Sequence, residues 1–107
     1  MTGVCETNVN SSALLDNYLH TLINRFFKIL PMKESSEQTL NVYMKSLQME
    51  LIGCRGVVSV FSEDSTYLSL IAILQYFIDT PDCSVEDTRR EVFGAISLCN
   101  LLIDKYT

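Results

Sequence analysis

The stretch over residues 65–79, STYLSLIAILQYFID, constrains the fold most. Read at helical spacing, Leu68, Leu70, Ile71, Ile73, Leu74, Tyr76, Phe77 and Ile78 point in nearly every direction around the axis, and no sustained polar face remains. A helix that is apolar all round has to be covered on most sides. It is too short to cross a bilayer, which takes about 20 apolar residues, and Ser69 and Gln75 interrupt it. Its cover must come from the rest of the chain or from another subunit.

The rest of the chain supplies amphipathic helices. Over residues 13–29, Leu15, Tyr18, Leu19, Leu22, Ile23, Phe26 and Phe27 recur at three- and four-residue steps, opposite Asp16, His20, Asn24 and Lys28. Ser11 and Ser12 offer an N-cap and Pro31 a stop. A second helix is expected over residues 37–52, opened by a Ser35–Gln38 capping box, closed at Gly53, and buried through Leu40, Tyr43, Met44, Leu47 and Leu51. Residues 53–62 read as a tight turn at Gly53 and Gly56, then a short irregular or helical piece that packs Val58 and Phe61 inward. A last helix starts at Ser84, with Glu86 and Asp87 in its first turn and Lys105 in its last, as the helix dipole favours. Its stripe runs Val85, Val92, Cys99, Tyr106 with Ile96 and Ile103. Arg89 falls on that stripe, and Gly94 suggests a close helix–helix approach.

With 107 residues, 48% hydrophobic and 20% charged, the chain is large enough for one core and too apolar for disorder. The expected fold is all-α. It is a four-helix up-and-down bundle or a close variant, with an irregular segment between the second and third helices. It forms one domain over residues 1–107, with a flexible arm over 1–11.

Charge narrows the partners. The net charge is −5 and the isoelectric point about 4.6, which argues against nucleic-acid and anionic-membrane surfaces. The first residues lack a basic-then-apolar leader, and Cys5, Cys54, Cys83 and Cys99 form no C-x-x-C pair. The expectation is a cytoplasmic protein with reduced thiols.

Catalytic patterns are missing. The single histidine, His20, stands four residues after Asp16 on a polar helix face, where the pair reads as a solvated contact. Glu86, Asp87 and Glu91 are interleaved with Arg89 and Arg90, unlike the facing carboxylate rows of a magnesium site. A calcium loop begun at Asp79 would put Arg90 where its last glutamate belongs. Gly53-Cys54-Arg55-Gly56 matches neither phosphate-binding glycine motif. No catalytic, metal or cofactor site is therefore expected.

What remains is apolar surface. The leading expectation is a non-enzymatic protein that works by protein–protein contact, as an adaptor, regulator or inhibitor, and forms a homodimer. Its interface is expected on the third helix at Tyr67, Leu70, Leu74 and Phe77. An ion pair is expected between Arg89 and Asp79. The alternatives are a ligand-binding or enzymatic bundle with an inter-helix pocket holding an anion through Arg89 or Arg55, and an acidic mimic of nucleic acid.

Overall fold

The computed structural model describes residues 3–107, with side chains from residue 12 onward. The chain forms α1 (Gly3–Phe27), a short α2 (Ile29–Glu34), α3 (Leu40–Val57), a 3₁₀ turn (Ser59–Phe61), α4 (Ser65–Asp79) and α5 (Val85–Tyr106). No strand occurs among the described residues, so the fold is all-α. The arm expected over residues 1–11 lies outside the described side chains; the backbone carries α1 back to Gly3. Helix α5 packs against both α1 and α4, α4 packs against α3, and α2 lies against α5.

One core joins these helices. Leu15, Leu19, Leu22 and Phe26 of α1 meet Leu47 and Leu51 of α3, Leu70 and Leu74 of α4, and Val92, Cys99 and Leu102 of α5. The bounds of α4 coincide with the expected 65–79. Tyr67, Leu70, Leu74 and Phe77 are 0–2% exposed, while Leu68, Ile71, Ile73 and Ile78 are half-buried. With α3 on one side and α5 on the other, α4 obtains most of its cover from its own chain.

The other boundaries differ from expectation for local reasons. In a continuous helix the Pro31 ring would collide with the carbonyl of Phe27. The chain breaks at Lys28 instead, and Pro31 sits in the first turn of α2. The Ser35–Gln38 capping box does not form. Ser35 donates its hydroxyl back to the Pro31 carbonyl at 2.9 Å, and Ser36 adopts a left-handed φ of 56°. Glu37 N–H then reaches the Met32 carbonyl at 2.9 Å and Ser36 N–H that of Lys33 at 3.1 Å, which is a Schellman closure of α2. These residues are spent on ending α2, so α3 begins only at Leu40.

At its other end α3 runs straight through Gly53 and Gly56 to Val57. The expected glycine turn is absent; the reversal lies at Val58, whose backbone is extended (φ −103°, ψ 103°), and in the 3₁₀ turn that follows. Phe61 is fully buried and Val58 half-buried, as expected. In α5 the buried row is Thr88, Val92, Ala95, Cys99 and Leu102. Arg89 falls off it and is exposed. A methyl group on Gly94 would meet nothing within 4 Å, so no helix approaches closely there.

Candidate functional site

Three regions outside the common core carry the polar and surface chemistry. The first lies where α4 begins and α5 ends. Asp64, at the cap position of α4, accepts from Tyr67 N–H at 2.9 Å and from Lys105 Nζ at 2.8 Å, and the Tyr106 hydroxyl also donates to it. Burial alone would raise its pKa. The hydrogen bonds from Lys105, Tyr106 and Tyr67 outweigh that and hold the carboxyl at about 2, below its ordinary 3.8. Lys105 and Tyr106 are shifted up by the same contact. Phe61 stacks on Tyr67 with ring centres 4.2 Å apart and meets Tyr106 edge-on at 6.1 Å. Tyr67 donates its hydroxyl to the Leu51 carbonyl at 2.7 Å, and burial pushes its pKa up. Asp64, Lys105, Tyr106 and Tyr67 all pair within the chain, while the hydroxyl of Tyr18, whose ring lies 6.4 Å from that of Phe61, is buried without a partner. The region is a structural tie.

The second region is a cavity of about 460 Å³ at the opposite end, between α2, the start of α3, the end of α4 and the start of α5. Ile29, Met44 and Phe77 form its buried floor, with Leu40 and Val85 above them. Lys33, Glu37, Asn41, Thr80 and Ser84 supply polar atoms, and Lys33 Nζ donates to the Pro81 carbonyl at 3.0 Å. Cys83 also lines it, with its sulfur 3.1 Å from Thr88 Oγ1. The volume lies within the range of about 300–1,000 Å³ typical of small-molecule sites.

The third region is the outer face of α3. Val42, Ser46, Met49, Gly53 and Gly56 recur at steps of four and three residues, and all are exposed. Val42 is 64% and Met49 72% exposed, with Ile52 at 49% and Val57 at 81% on the flanks. Methyl groups on Gly53 or Gly56 would meet nothing within 4 Å. Helix α3 packs inward mainly on α4, and no other helix among the described residues covers this row.

The residues singled out from the sequence fall elsewhere. Tyr67, Leu70, Leu74 and Phe77 face the interior of their own bundle, so they do not form an outward surface; the other helices cover them first. Arg89 pairs with Glu34 of α2 at 3.3 Å, while Asp79 accepts from Gln75 at 2.9 Å. The α2 helix, unforeseen in the sequence, brings Glu34 to Arg89. Arg55 donates Nε to the Ser62 carbonyl at 2.7 Å, beside Glu63, and neither arginine lines the cavity. His20 and Asp16 form an exposed pair at 3.4 Å. Among the described residues no three His, Cys, Asp or Glu side chains gather as metal ligands. Cys54, Cys83 and Cys99 are free thiols, and burial pushes Cys99 up to about 12. Carboxylates of Glu34, Glu50, Asp64 and Asp87 each meet a cation rather than form a free acidic row. No helix among the described residues is long and apolar enough to cross a membrane.

Sequence reading missed the outer row on α3 because Leu40, Met44, Leu47 and Leu51 dominate the pattern. Val42 and Met49, apolar but off that stripe, were the available signal. Comparison with protein-family models, with curated proteins and with solved structures finds no match to this chain. The chain therefore stands as an all-α bundle whose function has to be argued from its own surface.

Proposed function

We propose that this protein acts by protein–protein contact rather than by catalysis, as an adaptor, regulator or inhibitor. In this reading its working form is a homodimer paired through the outer face of α3. The supporting observation is that face's self-complementarity. In an antiparallel pairing centred on Met49, Val42 of one protomer lies opposite Gly56 of its partner and Ser46 opposite Gly53. A bulky residue at one end of the row thus meets a glycine at the other, and the two-fold axis repeats each pairing in reverse. The steps of four and three residues are those of a helix–helix seam, and the missing side chains at Gly53 and Gly56 let two backbones approach.

The size of the face sets the strength. Helix α3, of 18 residues, is about 27 Å long. One helix face supplies only part of the roughly 800 Å² per partner of a standard interface. Pairing in the micromolar range is the expectation. Sedimentation equilibrium from low to several hundred micromolar tests it, with Met49→Glu and Gly56→Leu alongside wild type. Leucine favours helix over glycine, so Gly56→Leu keeps the monomer folded while filling the space that Val42 of the partner needs. A wild-type dimer that both substitutions dissociate supports the reading. A wild-type monomer throughout, or a dimer indifferent to both, overturns it.

A further inference from the structure

From the cavity between α2, α3, α4 and α5 we infer a binding site for a small amphipathic carboxylate, one apolar chain ending in a single carboxylate. This site is independent of pairing through α3. It is concave, with a floor of Ile29, Met44 and Phe77, each 5% exposed or less, so an unbranched hydrocarbon chain would exchange water for apolar contacts along its length. Met44 adds an adaptable thioether to that floor.

The head group follows from the rim. Among the described residues Lys33 is the one basic side chain lining the cavity, and its ammonium uses one of its three donors on the Pro81 carbonyl. The first turn of α3 borders the same space through Leu40 and Asn41, and its cap residue Thr39 makes no side-chain cap hydrogen bond, so the positive end of that helix adds to the potential of Lys33 there. Glu37 also lines the cavity. Glu37 opposes anions at this rim, so Lys33 and the start of α3 together can compensate one carboxylate at most, and the second carboxylate of a dicarboxylate would lie uncompensated over the apolar floor. Thr88 closes the α5 side as a buried wall: its hydroxyl is occupied by the Ser84 carbonyl at 2.8 Å and by Cys83, leaving the apolar chain no unmet polar group to pass there.

The test uses decanoate, decanol and the dicarboxylate sebacate with the full-length protein, followed by the Met44 methyl resonance and by calorimetry. Decanoate should saturate at one equivalent. Decanol, with the same apolar chain and no charge, should bind about tenfold more weakly, the scale of one charge-assisted hydrogen bond, and sebacate should bind more weakly still. Lys33→Met should bring decanoate down to the level of decanol. Val85→Trp, at the partly exposed wall, should abolish binding of both while the circular dichroism spectrum stays helical. Absence of saturable decanoate binding, or binding that survives Val85→Trp, overturns the site. Decanol binding as tightly as decanoate, or decanoate binding unchanged in Lys33→Met, overturns the assignment of the carboxylate head.

Discussion

The two ends of the bundle are built from similar residues and to opposite effect. Where α4 starts and α5 stops, Asp64 collects an ammonium, a hydroxyl and a backbone N–H, and Phe61 is sandwiched into a run of aromatic rings. Where α4 stops and α5 starts, Ser84 caps α5 by accepting from Asp87 N–H at 3.0 Å, yet the surrounding side chains leave a cavity of about 460 Å³. Buried polar groups that are fully paired rigidify a structure; incompletely filled apolar space leaves room for something else. Paired polar groups and stacked rings thus gather at the Asp64 end and unfilled space at the Lys33 end.

The sharpest way to break this contrast is to remove a large side chain from each end. Phe61→Ala deletes a fully buried ring stacked at 4.2 Å on Tyr67 and should cost roughly 3–5 kcal/mol. Met44→Ala enlarges a space that already exists, and should fall near the lower limit of about 2 kcal/mol for such a deletion. Urea denaturation of both variants measures the difference. Equal losses would remove the distinction between the ends.

Acid titration probes the tied end more gently. A carboxyl held at about 2 when folded and near 3.8 when unfolded stabilises the folded state once it is ionised in both. Its contribution is fully present above about pH 5, declines as pH falls through the unfolded value, and is gone below the folded one. The amount is on the order of 2 kcal/mol. Asp64→Asn can still cap α4 but cannot hold Lys105 as a carboxylate does. The gap in stability between wild type and Asp64→Asn should therefore narrow steadily from pH 6 to pH 2; a gap independent of pH would contradict the role given to Lys105 and Tyr106.

The smallest effect belongs to the open end. Ser36 ends α2 in a left-handed conformation that glycine adopts without steric cost. Ser36→Gly should raise stability by roughly 0.5–1 kcal/mol, readable as a higher midpoint in the same denaturation series.

Much of this architecture was legible in the sequence. The all-round apolar character of residues 65–79 identified the helix that the others cover, and Ser84 identified the start of α5. Periodicity could not distinguish burial within a chain from burial between chains, so Tyr67, Leu70, Leu74 and Phe77 suggested an interface when they are core. Gly53 and Gly56 suggested a turn, but their backbone is helical and the reversal falls at Val58 instead. The α2 helix was hidden because Pro31 reads as a stop, although a proline is compatible with a first turn. With α2 hidden, the Arg89–Glu34 pair and the cavity that α2 helps to wall were hidden too. Both are products of tertiary placement.

The claim that the outer face of α3 is where this protein meets its partner copy is tested most directly by methyl labelling of its methionines. Met49 stands at the centre of that face, 72% exposed, while Met44 on the same helix is 5% exposed and lines the cavity. Dilution from several hundred micromolar to low micromolar should move the Met49 methyl resonance along a dimer–monomer curve, as the methyl passes from a partner's surface into water, and leave Met44 in place. A Met49 resonance that holds still across that range, in a protein that sediments as a monomer, would contradict the account.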